Sequence, residues 1–168
     1  LGISDDMFYE AIPTFKGASN RLELLSKNDN TIVFKDFAHA PSKLKATTNA
    51  VKKQYEGKEL IAVLELHTFS SLNKAFLSQY SGTVKSADIP VVYYNPETLE
   101  HKRLEPISEE DVKAAFGNSR LKVFTNNVQL NLVLMEMNWK GKNLLLMSSG
   151  NFGGLNVKEL AKEITEKV

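Results

Sequence analysis

The hydrophobic pattern of the chain alternates short apolar runs with amphipathic segments. Near the start, "NRLELLSKNDNTIVFKDF" contains two β-compatible runs separated by "KNDN", whose Asn and Asp residues suit a tight hairpin turn. Further runs of strand length occur at "ELIAVLEL", "IPVVYY", "LKVFT" and "NLLLM". Because parallel strands need crossover helices, the pattern predicts a three-layer α/β fold with a mostly parallel sheet of about six strands and one antiparallel strand from the hairpin.

The segments between the predicted strands show helical spacing. "SKLKATTNAVKKQY" predicts an amphipathic helix that Ser42 caps and Gly57 ends, and "SSLNKAFLSQYSG" predicts a second helix. "ISEEDVKAAFG" begins with a capping box formed by Ser108 and Asp111. The last two helices are predicted in "NNVQLNLVLMEMNWKG" and "LNVKELAKEITEKV", while "NPETLEHKRLEP" is predicted to be a polar insertion.

Composition narrows the range of functions. The 168 residues can form one domain with a substantial core, and 21 Lys plus Arg against 20 Asp plus Glu give a net charge of +1, which does not favour nucleic acid or anionic lipid. The chain has no cysteine, which excludes thiol catalysis, and no apolar run approaches the roughly 20 residues that cross a bilayer. We expect a cytoplasmic protein.

The opening at Leu1 predicts a linker from an upstream domain over residues 1–18 and the domain itself over residues 19–168.

Five loops follow the predicted strands, and most of the polar, titratable and glycine residues that could carry chemistry lie in them. They are "DFAHAP", "ELHTFSSLN", "YYNPE", "FTNN" and "MSSGNFGG". In an open α/β sheet, ligands bind beyond the carboxyl ends of the strands, so these loops are the candidate ligand site. Strand ends are often polar for purely structural reasons, and that explanation also fits any single loop.

His39 and His67 are the titratable candidates in these loops, because imidazole changes charge near neutral pH. Asp36 and Glu65 lie near them in sequence, but the spacing matches no metal-ligand motif, and no metal site is predicted. The glycines of "SSGNFGG" can bring backbone N–H groups to an anion, although a structural turn would show the same pattern. Arg21 suits either a salt bridge or a ligand contact.

Together these motifs resemble the C-terminal domain of the Mur ligases, the ATP-dependent amide-forming enzymes of peptidoglycan assembly. "FKGASNRLELL" is similar to the arginine-containing segment that leads into this domain, and "VFKDFAHAPSKLKAT" is similar to the family's D-[DY/F]-A-H-x-P strand-to-helix element. The likeness covers the whole chain and implies a Rossmann-like fold. Asn20, Lys35 and Ala40 depart from the family's paired Arg, Asp and His positions, so roles that rest on those partners are not carried over.

Within the family, "IAVLELHTFSSLN" and "LLLMSSGNFGGL" resemble the murein peptide ligase branch. Members of that branch join L-alanyl-γ-D-glutamyl-meso-diaminopimelate to UDP-N-acetylmuramate. The alanine-adding ligases are the alternative within the family, but Ser71 stands where their H-T/R-Y-S-R-T element has arginine. A non-catalytic module that binds an anion or a nucleotide is the alternative outside the family.

The resemblance implies that ATP activates the carboxylate of the muramyl nucleotide as an acyl phosphate, which the amine of the incoming peptide attacks. The protein would then position the reactants and stabilise charge. By their positions in the motifs, Arg21 and Asp36 are implied to contact the ATP ribose edge, and His39 to face the reacting phosphate and amine. The residues implied to shape the peptide pocket are His67, Thr68, Ser70, Asn73, Ser149, Gly150, Asn151 and Phe152.

In the family, the phosphate loop, the Mg²⁺ ligands and the uridine-nucleotide site belong to two preceding domains. The resemblance therefore implies that the partners of this chain are its own upstream domains, UDP-N-acetylmuramate, and a cell-wall peptide or L-alanine. We accordingly expect that these 168 residues alone do not catalyse ligation.

Overall fold

Six β-strands form one sheet in the computed structural model, which describes residues 21–167. They are β1 (Glu23–Lys27), β2 (Ile32–Asp36), β3 (Glu59–Glu65), β4 (Ile89–Tyr93), β5 (Lys122–Phe124) and β6 (Lys142–Met147). Their order is β1-β2-β6-β3-β4-β5; β1 is antiparallel to β2, and the other neighbours are parallel. The predicted mostly parallel sheet with an antiparallel hairpin strand is confirmed. The predicted linker over residues 1–18 lies outside the described residues.

In the described part of the chain, five α-helices connect or follow the strands. They are α1 (Pro41–Gln54), α2 (Pro96–His101), α3 (Glu109–Phe116), α4 (Asn127–Glu136) and α5 (Val157–Glu166). The described residues also form two short 3₁₀ turns, at Leu77–Tyr80 and Phe152–Gly154. Within residues 21–167, none of the helices combines the length and the apolar character that crossing a membrane requires.

The sheet separates two hydrophobic cores, because consecutive strand residues point to opposite faces. In β3, Leu60 and Leu64 belong to one core, and Ile61 and Val63 belong to the other. The first core is covered by α1, α2 and α3, and the second by α4 and α5. The helix residues that close the two cores are Leu44, Val51, Leu99, Val112 and Phe116 on one face, and Leu130, Leu134, Leu160, Ala161 and Ile164 on the other. The three-layer arrangement is therefore confirmed.

Several predicted local signals form as expected. Asn28 Oδ1 accepts hydrogen bonds from the N–H groups of Asn30 and Thr31 at 2.8 and 2.7 Å, which closes the hairpin turn. The capping box also forms, because the Ser108 hydroxyl accepts from Asp111 N at 3.1 Å and the Asp111 carboxylate accepts from Ser108 N at 2.9 Å.

The predicted cap of α1 at Ser42 is wrong. The N-cap position belongs to Ala40, which makes no side-chain capping bond, and Pro41 occupies the first turn. Proline is well suited to that position, since its fixed φ is helical and its missing N–H would have had no intrahelical partner.

The second predicted helix, in "SSLNKAFLSQYSG", is also wrong, because this segment forms turns and the 3₁₀ turn Leu77–Tyr80. Polar side chains in this segment and just before it bind nearby main-chain N–H groups: Thr68 Oγ1 accepts from Ser71 N at 3.1 Å, and Asn73 Oδ1 accepts from Ala75 N at 2.9 Å. Such bonds compete with helical ones. The apolar residues of the segment are nevertheless buried, as Leu72 illustrates at 0% exposure.

The predicted polar insertion contains α2. Asn95 caps this helix by accepting a hydrogen bond from Glu97 N at 2.9 Å, and Pro96 occupies its first turn. Leu99 is 3% exposed and anchors the helix in the first core. A helix of six residues with one apolar anchor is too short to produce a periodic pattern.

Asp88 ties three elements together at the amino-terminal edge of the sheet. Its Oδ2 atom accepts from Lys52 Nζ on α1 at 2.6 Å and from Leu60 N on β3 at 2.7 Å. Burial acts to raise the pKa of Asp88, but the hydrogen bonds from Lys52 and Leu60 and the charges of Lys52 and Arg120 outweigh it and lower the pKa below 3.8.

We expect Asp88→Asn to lower the free energy of unfolding at pH 7 by about 1–2 kcal/mol, since it removes charge-assisted hydrogen bonds from a partly exposed pair. The lowered pKa means that this stabilisation is present above pH 3.8 and is lost as the pH falls further, through the folded-state pKa. Urea unfolding should therefore show that the free energy of unfolding differs less between Asp88→Asn and the unsubstituted protein near pH 3 than at pH 7. Asp29→Asn, in the exposed hairpin turn, is the control. If Asp88→Asn lowered the free energy of unfolding equally at both pH values, the stabilising ion pair with Lys52 would be contradicted.

Candidate functional site

The carboxyl ends of five parallel strands meet at one edge of the sheet. β2, β6, β3, β4 and β5 lie side by side, so the loops that follow them form a continuous rim. These are the five loops that the sequence singled out, and ligands of open α/β sheets bind at this edge. A cavity lies at each side of the rim, and a buried polar network lies between them at the ends of β6 and β3.

The first cavity, of about 540 Å³, lies at the end of β2. It is lined by Arg21, Leu22, Asp36, Phe37, Ala38, Lys43, Ala46 and Thr47. Asp36 is 8% exposed, and its carboxylate accepts hydrogen bonds from Leu22 N at 3.2 Å and Thr47 Oγ1 at 2.7 Å. Asp36 thus joins the start of the described chain to α1, while Arg21 and Lys43 give the cavity two positive charges.

His39 lies directly after the segment that lines this cavity. Its Nδ1 atom is 2.9 Å from the Phe37 carbonyl oxygen, and the two rings meet edge to face with centroids 5.0 Å apart. The Tyr80 hydroxyl donates to the His39 carbonyl oxygen at 2.7 Å. Burial raises the pKa of Tyr80 to about 12, so this hydroxyl stays protonated at neutral pH. The half-buried His39 ring therefore has a defined position next to the cavity.

Glu65 is the centre of the buried network. It is 3% exposed, and its Oε2 atom accepts hydrogen bonds from the Ser148 hydroxyl and from Phe152 N, the latter at 2.9 Å. The Ser148 hydroxyl also accepts from Gly150 N at 2.6 Å, and Ser148 N donates to the Asp36 carbonyl oxygen at 3.0 Å. The network consequently links the ends of β2, β6 and β3.

The glycine loop, residues 148–154, has an unusual backbone. Phe152 has a φ of 53°, which is rare for a bulky residue, and Gly153 and Gly154 have φ values of 65° and 90°. The Gly153 carbonyl oxygen accepts from Asn127 Nδ2 at 2.7 Å, and a Cβ atom at Gly153 would lie 2.4 Å from the Tyr93 hydroxyl. The loop is therefore held tightly against its neighbours.

The structure brings His67 and the glycine loop together. His67 Nδ1 is 3.8 Å from Glu65 Oε1, and a Cβ atom at Gly150 would lie 2.7 Å from His67 Cγ. The Ser149 hydroxyl is buried and has no hydrogen-bond partner within the described part of the chain. The exposed Asn151 accepts from Gly154 N through its side chain at 3.2 Å. These residues form one unit at the ends of β3 and β6.

Two groups of predicted site residues have mainly structural contacts. Phe152 is fully buried and stacks on Tyr93 with ring centroids 6.4 Å apart, so its side chain supports the loop from within the core. Thr68, Ser70 and Asn73 belong to the turns after β3, where Thr68 Oγ1 lies 3.1 Å from Ser70 Oγ. Ser70 and Asn73 are exposed on this rim.

A second cavity, of about 420 Å³, lies at the ends of β4 and β5. It is lined by Tyr93, Asn95, Pro96, Glu97, Thr125, Asn126, Asn127 and Gly153. Burial raises the pKa of Tyr93, and the nearby Glu65 and Glu97 carboxylates raise it further. Tyr93 is therefore a hydrogen-bond donor at neutral pH, in a cavity otherwise lined mainly by amides, a hydroxyl and a carboxylate.

The sequence placed Glu65 and most of the residues that line the second cavity in the five candidate loops, but it assigned none of them a role in the site. Glu65 had a detectable signal, because a carboxylate at the end of the apolar run "ELIAVLEL" is expected to be buried only if it has partners. Asn95 and Asn127 belong to loops that were singled out, but nothing in the sequence showed that they share a cavity. Within residues 21–167, no group of three or more His, Asp or Glu side chains could hold a metal ion.

Comparison with known proteins connects this geometry to ligases. No family model matches the chain. The chain is 31% identical to the UDP-N-acetylmuramate–L-alanine ligase of Sulfurihydrogenibium sp. (strain YO3AOP1) over 163 residues, which is 94% of the chain. The chain spans only 34% of that relative, and between 20% and 33% of three other UDP-N-acetylmuramate–L-alanine ligases that it matches.

Solved structures show the same fold. A murein peptide ligase from Psychrobacter arcticus 273-4 matches 95% of the chain with a TM-score of 0.69 and 23% identity, and the match covers 32% of that protein. The MurF ligase of Thermotoga maritima, solved in complex with ADP, matches 92% of the chain with a TM-score of 0.55 and 16% identity, over 32% of its length.

We expect Gly150→Ala to lower the free energy of unfolding by about 1–3 kcal/mol, because the added methyl group would overlap His67 and lie 2.8 Å from Glu65 Oε2. Gly57→Ala is the matched control, since a Cβ atom there meets nothing within 4 Å and its φ is not positive. That control should be neutral or stabilising by up to about 1 kcal/mol. Urea unfolding measures both, and equal effects would contradict the close approach at Gly150.

Proposed function

Because this chain is a Mur ligase C-terminal-like domain, we propose that it closes over the substrates of an ATP-dependent ligase of cell-wall synthesis or recycling. In this proposal the complete enzyme joins L-alanyl-γ-D-glutamyl-meso-diaminopimelate to UDP-N-acetylmuramate. The observation that carries the proposal is the continuous rim on which the cationic cavity, His39 and the glycine loop lie next to one another. A nucleotide, a reacting carboxylate and an incoming peptide need such neighbouring sites.

We assign the nucleotide edge to the first cavity. Arg21 and Lys43 supply positive charge that suits phosphate oxygens, and the exposed Phe37 ring offers an apolar surface. Asp36 already accepts two internal hydrogen bonds, but each carboxylate oxygen has a further lone pair with which it could accept from a ribose hydroxyl. The MurF ligase solved with ADP supports the use of an adenine nucleotide. ATP would supply the phosphoryl group that activates the muramyl carboxylate.

We assign the incoming peptide to the glycine loop and the loop after β3. His67, Thr68, Ser70 and Asn73 would line one side, and the residues of the glycine loop that would line the other are Ser149, Gly150 and Asn151. His39 follows the segment that lines the first cavity, and its carbonyl oxygen accepts a hydrogen bond from Tyr80, which belongs to the segment after β3. Its ring would face the reacting phosphate and amine. The main contribution of these residues would be orientation and electrostatic stabilisation, since the chemistry needs no covalent nucleophile.

The peptide acceptor is supported by "MSSGNFGG" and by Ser71, which stands in place of the arginine of the alanine-adding pattern. The fold similarity to a murein peptide ligase agrees with it. L-Alanine is the second candidate, and the 31% identity to an alanine ligase favours it.

The rest of the enzyme would supply what the described residues do not bring together. We propose that Mg²⁺ is held by a preceding domain, since the described residues present no cluster of carboxylates or imidazoles for a metal ion. The same domains would bind UDP-N-acetylmuramate, and the complete protein would act in the cytoplasm. The 168-residue chain alone would then be inactive.

We expect His39→Ala, in a complete protein that carries this domain, to lower kcat/KM for ligation by about 100-fold or more, because it removes an imidazole from the reacting end. His101→Ala is the matched control, since His101 is exposed on α2, and it should stay within about twofold of the unsubstituted enzyme. Ligation is measured with ATP, UDP-N-acetylmuramate and either the tripeptide or L-alanine. Thermal unfolding should be unchanged in both variants.

Three results would overturn parts of this proposal. Efficient use of free L-alanine with no use of tripeptide would assign the enzyme to the alanine-adding reaction. Nucleotide binding without ligation of either acceptor would favour a non-catalytic binding module. Loss of cooperative unfolding in His39→Ala, with no specific loss of activity, would assign His39 a structural role.

A further inference from the structure

We propose that Glu65 is a positioning residue that fixes the glycine loop and His67 relative to each other, so that both can contact the incoming peptide. This assignment rests on the proposed function. Glu65 ends β3, and 3% of the residue is exposed. Burying a carboxylate is costly unless hydrogen bonds and charges compensate it. The groups that offset the burial of the Glu65 carboxylate all belong to the glycine loop and to the loop after β3, the two loops to which we assign the incoming peptide.

One carboxylate oxygen holds the glycine loop. Glu65 Oε2 accepts from the Ser148 hydroxyl and from Phe152 N, and the Ser148 hydroxyl in turn accepts from Gly150 N. These bonds bracket the turn in which Phe152 has a φ of 53°. A bulky residue in this region carries about 1–3 kcal/mol of strain, which persists only where the surroundings hold it. The bond from Phe152 N is made by the strained residue itself.

The other oxygen faces the imidazole. Glu65 Oε1 lies 3.8 Å from His67 Nδ1, and His67 is packed against Gly150 so closely that a Cβ atom would lie 2.7 Å from its ring. Glu65 therefore fixes both the shape of the glycine loop and the position of the His67 ring that packs against Gly150. A displacement of about 1 Å in groups that orient a substrate can cost about 100-fold in rate.

The experiment compares three variants of the complete protein. Glu65→Ala removes both interactions. Glu65→Gln can keep the amide oxygen as acceptor for Ser148 and Phe152, while it replaces the oxygen that faces His67 with an uncharged amide group. Glu59→Gln, at the opposite end of the same strand, is the matched control, because Glu59 is exposed and pairs with Lys142 at the amino-terminal edge.

The first measurement is steady-state ligation with acceptor and ATP varied separately. We expect Glu65→Ala to lower kcat/KM for the acceptor by about tenfold or more, while the KM for ATP stays within about threefold. Glu65→Gln should recover most of the acceptor efficiency, and Glu59→Gln should match the unsubstituted enzyme. Equal losses toward acceptor and ATP, or no rescue by glutamine, would overturn the positioning role.

The second measurement is amide hydrogen exchange, which does not depend on activity. We expect Glu65→Ala to speed exchange at Gly150 and Phe152 about tenfold or more, with the β6 amides unchanged, and Glu65→Gln to retain slow exchange. Unchanged exchange in Glu65→Ala would overturn the inference whatever the reaction is. If the unsubstituted protein performs no ligation, the proposed function fails and the acceptor role with it, while the exchange data still decide whether Glu65 orders the loop.

Discussion

The insertion of β6 between β2 and β3 is the constraint on which the rest of the structure depends. Leu145 in β6 pairs with Phe34 on one side and with Ala62 on the other, both in parallel register. A strand from near the end of the chain thus occupies the centre of the sheet, and the glycine loop emerges between the loops of β2 and β3. The hydrogen bonds from Ser148 to Asp36 and to Glu65 follow directly from that placement.

The two edges of the sheet use buried polar groups differently. At the amino-terminal edge, the Thr31 hydroxyl donates to the Trp139 carbonyl oxygen at 2.7 Å, and Asn143 Oδ1 accepts from Ile32 N at 3.0 Å, so these groups close the fold. At the carboxyl edge, Glu65 supports a loop that contains the strained Phe152. Strain of this kind is common where a protein preforms a binding surface, because the surrounding core provides the stability that the loop lacks.

Much of the fold could be predicted because its signals are local or periodic. The Asn28 turn and the Ser108–Asp111 capping box each need only a few consecutive residues, and both form. The helix predicted after β3 failed because Thr68 and Asn73 bind nearby N–H groups, an energetic competition that apolar spacing does not report. The short helix α2 was missed because one buried leucine creates no period.

The sequence by itself determined the α/β class, the strand segments and the five loops in which chemistry could lie, since alternating apolar periodicity and turn residues specify these within short windows. Only the tertiary structure decided which of those loops touch. In the folded chain, His67 packs against Gly150, Glu65 is buried next to both, and the Phe152 side chain lies in the core. The physical reason is that the order of strands depends on pairing between distant segments, whose hydrogen bonds and packing appear only when the whole sheet has formed.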